Sequence, residues 1–477
     1  MVGYKRGQDR YQETILPARL DDYVSEDHPC RVIDAFVDQL DLVSRGFTHA
    51  RPQNTGCPPY EPGDLLKLYL YGYLNRVRSS RRLEAETQRN VEVMWLLSGL
   101  TPDDRTICYF RSDNAKALKA VFRDFNKLCL NWGLFGRETV SFDGSKIKAN
   151  NSRKNHYTRD GVKKQLAHLE KQITEYLNEL EQNDQTESAD EKPNRAAVAE
   201  MLKKINDKKS KLEHILQELE ENDAKSICTV DDEAALMKQG GGKGFDVCYN
   251  VQTAVDEKHG LVVDFDVSDH CNDLGELSHM AEQAKDMLEV ETLNALADKG
   301  FSNGEEIRAC EEMGVTCYVP SPEPSHQPED PAYRRANFVY DEEKNVYTCP
   351  AGHEMPFVRR RKSNGFLVYA NRGACLNCPM KSKCTKSKTQ REIERNPYQA
   401  EVERAAANAK ENRALYRRRQ ELSEHPFGVV KRVWGYDQYL SRGKVKVTGE
   451  TSLSFLAFNF RRALNILGAK KMLQGLT

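Results

Sequence analysis

Three acidic residues that are far apart in the chain stand at positions suited to metal-assisted chemistry. Asp143 lies in SFDGSKIKA, which alternates like a β-strand, and the neighbouring Gly144 leaves room for a ligand. Asp298 follows the apolar run LNALA, so we expect it at the carboxyl end of a strand, where ligands gather in α/β sheets. Glu424 is an acid in the basic, helix-prone stretch YRRRQELSEHPFGVVKR, which indicates a paired or metal-bound role.

Carboxylates are the ligands that Mg²⁺ and Mn²⁺ prefer. In two-metal phosphoryl transfer, one ion lowers the pKa of the attacking water or 3′-hydroxyl and the other stabilises the leaving oxygen. Three distant carboxylates that converge in the fold would meet that requirement. Any single Asp or Glu is more commonly a surface residue or a helix cap, so spacing alone does not select these three.

Four of the 13 cysteines form a second group with chemical potential. Cys349 begins CPAGH, and Cys375, Cys378 and Cys384 follow as C-x2-C-x5-C. Such thiolates can close a tetrahedral zinc site, in which His353 is able to replace one sulfur. The alternative is a set of reduced thiols in a basic loop. The remaining cysteines are mostly single and are interpreted as buried thiols of a reducing compartment.

The periodicity of the chain changes along its length. Residues from about 15 to 135 read as helical, with VIDAFVDQL and LLKLYLYGYL at helical spacing. Phe245 to Val255 and Leu261 to Val267 each alternate at period two, and DEKHG between them predicts a hairpin turn. A helical segment from Gly275 to Val290 and the LNALA strand come next. The pattern predicts a mixed α/β sheet domain.

Two insertions interrupt this predicted domain. The first, residues 158–222, has apolar residues that step by three and four on two arms, broken at Lys209, with Glu181 to Asn194 joining the arms. Those residues are Leu166, Leu169, Ile173, Tyr176, Leu180, Val198, Leu202, Ile205, Leu212, Leu216 and Leu219. They predict an antiparallel coiled-coil hairpin that serves as a structural or partner-binding arm. The second insertion, residues 323–391, carries the cysteine group.

The distribution of charge, rather than the net charge of −1, indicates a nucleic-acid partner. From Met355 to Gln390 there are nine Lys or Arg residues and no acidic residue. The stretch RVRSSRR, from Arg76 to Arg82, is also densely basic. Such patches suit contact with DNA phosphates, although a solvated surface or the outer face of a helical bundle would have the same composition.

The composition bounds the class of protein. With 477 residues, two to four domains are expected, and 39% hydrophobic with 30% charged residues indicates a soluble globular chain. No apolar run approaches the 18 residues of a membrane span, so no membrane partner is expected. The N-terminal segment MVGYKRGQDRYQET lacks the apolar stretch of a secretory signal, which predicts a cytoplasmic protein.

Several motifs together resemble the DDE transposases of bacterial insertion sequences, in the group with a Tyr-Arg-Glu-Lys signature around its glutamate. They are SFDGSKIKAN, YNVQTAVDEKHGLVV, ALADKGFSNGEEI and EHPFGVVKRVWGYDQYLSRG, with PPYEPGDLLKLYLYGYL and RSSRRLE near the N-terminus. The resemblance covers nearly the whole chain. It implies an RNase H-like mixed-sheet catalytic domain over residues 136–475 and a helical, DNA-binding N-terminal domain over residues 1–135, beside the coiled-coil and zinc-binding insertions.

The same resemblance implies that Asp143, Asp298 and Glu424 are catalytic and hold two Mg²⁺ or Mn²⁺ ions. Lys431 follows Glu424 at the spacing of the signature lysine and is a candidate DNA contact. Tyr416 and Arg419 match the signature only approximately, because Glu424 follows them by one residue more than the glutamate of the signature does.

Geometry adds an expectation about the segment between Glu424 and Lys431. Pro426 and Gly428 lie there and are expected to kink or restart the helix. The candidate DNA-contacting residues are Arg78, Arg81, Arg82, Arg419, Lys431 and Arg432.

Three functions are compatible with these features. The first is a transposase that binds the terminal inverted repeats of its element, frees a 3′-hydroxyl and joins it to target DNA. The second is a nuclease without strand transfer, and the third is a non-catalytic DNA-binding protein with a relic core. Double-stranded DNA is the expected partner in the nucleoid, and a homodimer is expected because two ends must be brought together.

Overall fold

The computed structural model of the chain describes residues 19–51, 58–185, 195–224, 226–239, 244–322 and 328–476. The helices are α1 (Pro29–Asp38), α2 (Pro62–Leu74), α3 (Ser80–Arg89), α4 (Val91–Leu96), α5 (Asp104–Asp113), α6 (Ala115–Asn131), α7 (Arg159–Gln185), α8 (Arg195–Glu221), α9 (Leu277–Leu288), α10 (Gly304–Glu312), α11 (Arg372–Leu376), α12 (Lys381–Cys384), α13 (Gln399–Glu411), α14 (Arg413–Phe427), α15 (Lys444–Leu467) and α16 (Ala469–Leu476). The strands are β1 (Thr139–Lys148), β2 (His156–Thr158), β3 (Ser226–Cys228), β4 (Ala235–Lys238), β5 (Phe245–Asp256), β6 (Val262–Ser268), β7 (Leu293–Leu296), β8 (Val315–Tyr318), β9 (Val339–Asp341), β10 (Val346–Thr348), β11 (Glu354–Arg360), β12 (Leu367–Ala370) and β13 (Glu392–Arg395).

A six-stranded mixed sheet forms the centre of the molecule, in agreement with the predicted α/β class. Its order is β4-β5-β1-β7-β8. β6 also pairs with β5, over residues 250–255, whereas β4 pairs with residues 245–248 of that strand. β5 is antiparallel to β1 and β6 is antiparallel to β5, so β6 runs in the same direction as β1. β7 is parallel to β1, and β8 is parallel to β7. The segments that follow β6, β7 and β8 therefore leave the sheet at the same edge.

The predicted hairpin corresponds to β5 and β6. Its turn is closed by Asp256, which is fully buried and accepts hydrogen bonds from the backbone N–H groups of Gly136 (2.9 Å), Arg137 (3.1 Å) and Lys258 (2.9 Å). Burial raises the pKa of Asp256, and the three amides oppose this effect. This carboxylate fixes the approach of the chain to β1, the strand that carries Asp143.

The N-terminal helices share one apolar core with the sheet and with the C-terminal helices. The ring of Phe122 on α6 packs edge-on against Phe265 of β6, with centroids 5.2 Å apart, and Phe125 stacks on Phe460 of α15 at 5.0 Å. α15 approaches α6 closely, since a Cβ on Gly449 would lie only 2.7 Å from the Cα of Ala115. Residues 115–131, expected within the N-terminal domain, thus belong to the layer that covers the sheet.

The first insertion is a hairpin of the long helices α7 and α8. Its apolar centre contains Val162, Leu169, Leu212, Ile215 and Leu219. Lys209, which interrupts the apolar rhythm, forms an ion pair with Glu170 on the other arm at 3.1 Å. The side chains of Leu180 and Val198 and the connecting residues 186–194 lie outside the described residues.

The second insertion is a small antiparallel sheet of order β13-β12-β11-β10-β9 with its own apolar centre. Aromatic residues dominate that centre, and Tyr347 and Tyr369 meet edge-on with centroids 5.1 Å apart. The unit extends to Arg395 in β13, a few residues beyond its predicted end, while residues 323–327 at its predicted start lie outside the described residues.

Across the described ranges of the chain, none of the helices has the length and apolar character needed to cross a lipid bilayer.

Candidate active site

The sheet brings Asp143 and Asp298 together. The last paired residues of β1 and β7 are Ser141 and Leu296, so two further residues along each parallel strand lead to Asp143 and Asp298. Asp298 then opens a short 3₁₀ turn, and its Oδ1 accepts the N–H of Gly300 at 2.7 Å. The prediction that Asp298 lies just after a strand end agrees with this geometry.

The electrostatic surroundings of Asp143 are those of a carboxylate near other charges. Burial, and to a smaller extent the negative charge of Asp298, raise the pKa of Asp143 to about 6. The guanidinium of Arg419, the hydroxyl of Ser423 and the N–H of Gly144 oppose this rise. Asp143 is therefore ionised at neutral pH, although at a free-energy cost that a nearby cation would reduce.

Helix α14 lies over the face of β1 that carries Asp143. The face of α14 that packs against the sheet carries Tyr416, Arg419 and Ser423, whose spacing places them on one side of the helix. The hydroxyl of Tyr416 donates to the carbonyl of Ala297 at 3.3 Å, directly before Asp298. Ser141 Oγ donates to the carbonyl of Arg419, also at 3.3 Å. These bonds fix the helix relative to both strands of the site.

Glu424 is placed differently from the two aspartates. It is exposed, and its Oε1 accepts a hydrogen bond from Gln420 Nε2 at 3.0 Å. Ser423, the residue before it, is the one turned toward Asp143, and successive helical residues point about 100° apart. Within the described residues, Asp143, Asp298 and Glu424 do not bring ligand oxygens within 4.8 Å of one another. The structure pairs the aspartates and leaves Glu424 at the rim.

The expected break between Glu424 and Lys431 takes a specific form. Pro426 is accommodated inside α14, and the chain continues from Gly428 to Val433 as a π-helical turn instead of stopping. Lys431 Nζ donates to Ser145 Oγ at 3.0 Å and to the carbonyl of Lys146 at 2.7 Å. Lys431 thus lies against β1, where it contacts residues two and three positions after Asp143.

One further carboxylate at this edge of the sheet is not among the residues predicted from the sequence. Asp273 follows β6, and its Oδ1 accepts hydrogen bonds from Asn250 Nδ2 (2.8 Å) and Gln252 Nε2 (2.5 Å). A Cβ on Gly144 would overlap Asp273 Oδ1 and lie 2.6 Å from Gln252 Nε2. The room beside Gly144, which we predicted for a ligand, is therefore filled by Asp273. The polar run DHCNDLGEL between a strand and a helix was the available signal.

An open cleft gives solvent access to this edge. It is lined by residues on both sides of Asp273 and by the turn after Asp298, including Asn272, Leu274, Lys299, Gly300 and Ser302. An extended substrate could approach the carboxylates along it.

The basic candidates fall into two groups. Arg78 Nη1 donates to Glu450 Oε1 (3.2 Å) and to the carbonyl of Gln438 (3.1 Å), and its guanidinium lies 4.1 Å from the ring centroid of Tyr436. These contacts hold Arg78 within the protein, whereas the sequence predicts it as a DNA contact. Three others, Arg81, Arg82 and Arg432, are exposed.

Cys349, Cys375, Cys378 and Cys384 line one small pocket of the second insertion, together with His353. Burial raises the pKa of the Cys384 thiol, and the other three cysteines raise it further while Arg391 lowers it. His353 donates its backbone N–H to Cys349 Sγ at 3.4 Å. No three of these ligand atoms lie within 4.8 Å of one another among the residues described. The cysteines share a pocket without forming a closed site.

His28, Cys30 and Glu92 are the one group in the described part of the chain whose ligand atoms do lie within 4.8 Å of one another. Internal contacts already use them. His28 Nδ1 accepts the N–H of Cys30 at 3.2 Å as the cap of α1, and Glu92 Oε2 accepts from the hydroxyl of Tyr71 at 2.7 Å. Burial raises the pKa of the Cys30 thiol to about 12.

Comparison with protein families gives two matches. Residues 348–464 match the model described as "Transposase DDE domain", and residues 18–113 match "Transposase domain (DUF772)". The first range contains Glu424 and Lys431 but neither Asp143 nor Asp298. Searches of curated proteins and of solved structures found no match.

Proposed function

We propose that this chain is a DDE transposase of the insertion-sequence type, which binds the terminal inverted repeats of its element and catalyses metal-dependent strand cleavage and strand transfer; its two matches to transposase family models support this. The observation that carries the proposal is the pairing of Asp143 with Asp298 at the edge of a mixed sheet, beside an open cleft. Neither aspartate lies in the matched ranges, so this pairing supports the chemistry independently.

The topology of the sheet supports an RNase H-like catalytic domain over residues 136–475. In the order β6-β5-β1-β7-β8, the first two strands form an antiparallel meander with β1, and the last two continue parallel to it. This arrangement places the carboxylate of β1 beside the loop after β7. The insertions α7–α8 and β9–β13 leave that edge intact.

The residues present fit divalent cations. Asp143 and Asp298 offer hard oxygen ligands, and burial together with the charge of Asp298 raises the pKa of Asp143, so a cation between them would be stabilising. Glu424, exposed at the rim on α14, is the proposed third ligand. Two Mg²⁺ or Mn²⁺ ions held by these residues would activate the attacking oxygen and stabilise the leaving oxygen.

The chain's own groups position the reaction. Water attacks the phosphorus of a phosphodiester at the element end, the bond from phosphorus to the 3′ oxygen breaks, and a 3′-hydroxyl is freed. That hydroxyl then attacks a phosphodiester of target DNA and displaces its 3′ oxygen. The positive charge of Arg419 on α14 stabilises the ionised form of Asp143, and Lys431 holds the π-helical turn against β1.

DNA contact is proposed for the N-terminal helices, residues 1–135, and for the exposed basic residues Arg81, Arg82 and Arg432, with Lys431. Arg81 has 86% of its side chain exposed, and its partner Asp104 lies at 3.3 Å, an arrangement that a phosphate could replace. Arg419 acts at the carboxylates in this scheme. Two chains, each holding one end, would form the working dimer.

A structural zinc ion is proposed for the second insertion, held by Cys349, Cys375, Cys378 and Cys384. The support is their common pocket in a unit with few apolar residues of its own. Closing the site requires the sulfurs to come closer together than they lie in the structure.

A joining assay tests the proposal. Purified chain is incubated with pre-cut terminal repeats, a supercoiled target plasmid and Mg²⁺, and joined products are quantified. We expect end-specific joining that EDTA abolishes. Cleavage of uncut ends without joining would instead identify a nuclease, and metal-independent binding with no cleavage would identify a relic DNA-binding protein.

A further inference from the structure

We infer that Asp273 is a further metal-ligating carboxylate of this site, which holds a divalent cation together with Asp298 on the face of β1 opposite α14. The inference rests on the proposed metal-dependent function and adds a ligand to it. Asp143 and Gly144 point to opposite faces of β1, and Asp273 fills the space on the Gly144 face.

The two oxygens of Asp273 have different surroundings. Oδ1 is held by the amides of Asn250 and Gln252. Oδ2 accepts no hydrogen bond from any described residue and is turned toward the loop after β7. A Cβ on Gly300 would lie 3.6 Å from Asp273 Oδ2 and 2.8 Å from Asp298 Oδ1, so the two carboxylates flank the same small space. A carboxylate oriented through one oxygen with the other left open is the usual arrangement of a metal ligand.

Gln252 provides an independent indication of a missing ligand. Its side chain is 1% exposed, and its Oε1 has no hydrogen-bond partner although its Nε2 donates to Asp273. A buried amide oxygen without a donor is unfavourable. A water molecule bound to a cation between Asp273 and Asp298 would supply the missing donor.

A purely structural role for Asp273 explains less of this geometry. No Lys, Arg or His within the described ranges forms an ion pair with Asp273 or with Asp298. Two carboxylates that flank one space therefore have no direct ion-pair partner among the described residues. A bound cation would neutralise them.

Calorimetric titration of the full-length chain with Mn²⁺ tests the inference. We expect Asp273→Asn to weaken Mn²⁺ binding about tenfold or more. Asp286→Asn, the same change on the exposed face of α9, should bind as the wild type does. Wild-type affinity in Asp273→Asn would overturn the inference.

Asp143→Asn in the same titration separates the inference from the function on which it rests. If Asp143→Asn weakens binding while Asp273→Asn does not, Asp273 is not a ligand and the proposed catalysis stands. If neither variant weakens binding, the proposed metal site itself is wrong.

A second measurement uses the wild-type chain and does not depend on the folding of a variant. Fe²⁺ bound in place of Mg²⁺ cleaves the nearby backbone when ascorbate and peroxide are added. We expect fragments that end near residues 273 and 298, suppressed by excess Mg²⁺. Cuts near 298 and 143 without one near 273 would contradict the assignment.

Discussion

At the scale of single residues, the site places like charges close together where water is partly excluded. Asp143 has its pKa raised by burial and by Asp298, and only Arg419, Ser423 and a backbone amide oppose this. Such an arrangement is unfavourable for the folded chain without metal and favourable for cation binding.

The first prediction for Asp143 concerns stability. The folded-state pKa of Asp143 is about 6, above its ordinary 3.8, so ionising it at pH 7.5 costs free energy that the amide of Asp143→Asn does not require. In EDTA at pH 7.5 we expect Asp143→Asn to raise the free energy of unfolding by about 1–3 kcal/mol. Urea denaturation measures it, with Asp286→Asn as the control. A destabilised Asp143→Asn would contradict the electrostatic description.

The second concerns pH. Cleavage requires ionised Asp143, so activity should fall as the pH drops through its pKa. Arg419→Gln removes the positive charge that lowers this pKa, and the acidic limb of the pH–rate profile should therefore move to higher pH. Arg417→Gln, an exposed neighbour on α14, should leave the limb in place. An unmoved limb in Arg419→Gln would show that Arg419 does not act on Asp143.

At the scale of elements, the alternation of apolar and polar residues predicted β1, β5 and β6, although the folded strands are buried over runs of consecutive residues and so on both faces. The start of α2 at Pro62 is equally local, since proline suits the first turn of a helix.

The rest of the site was not predictable because it depends on tertiary contacts. Asp273 lies in a loop and reaches the site only because β6 runs parallel to β1 and ends at the same edge. The exposure of Glu424 depends on which face of α14 packs against the sheet. Ser423 lies on that face and is buried, whereas Glu424, one residue later, is exposed. The helix continues past Pro426 through a π-helical turn, which no local sequence pattern indicates.

The four cysteines of the second insertion share one pocket, and their proposed role as zinc ligands can be tested by zinc content. If the second insertion holds zinc, purified chain should contain about one zinc ion per molecule, and Cys378→Ser should lose it because three sulfurs bind more weakly than four. Elemental analysis measures the content. Cys108→Ser, an exposed cysteine outside the pocket, should retain the wild-type amount. Full zinc content in Cys378→Ser would exclude it as a ligand.

At the scale of the whole molecule, one core joins the N-terminal helices, the sheet and the C-terminal helices. Arg78 is a central link, because it connects the start of α3 to Glu450 on α15, whose side chain is 0% exposed. Glu450 also accepts the backbone N–H groups of Leu440 and Ser441, which lie beyond the π-helical turn. The position of α14 over the active site therefore depends on contacts distant from it.

This link separates two neighbouring arginines that look alike in the sequence. Arg78→Ala leaves the buried Glu450 without its cation and should lower the free energy of unfolding by about 3–5 kcal/mol. Arg81→Ala should leave stability within about 0.5 kcal/mol. A normal melting temperature for Arg78→Ala would contradict the internal role.

For DNA binding we expect the effect at Arg81, the arginine whose substitution leaves stability nearly unchanged. Arg81→Ala should weaken binding to all sequences and lower the slope of log affinity against log salt by about one. Fluorescence anisotropy over a range of salt concentrations measures this slope. An unchanged slope would exclude Arg81 from phosphate contact.

The most direct test of the proposed catalysis is Mg²⁺-dependent cleavage at the element's own terminal repeats by Asp298→Asn, compared with the wild type and Asp286→Asn. Gel analysis of end-labelled DNA gives the rate. Loss of cleavage in Asp298→Asn, with wild-type DNA binding and with activity retained in Asp286→Asn, is the expected result. End cleavage at the wild-type rate by Asp298→Asn would contradict a site built on Asp143 and Asp298.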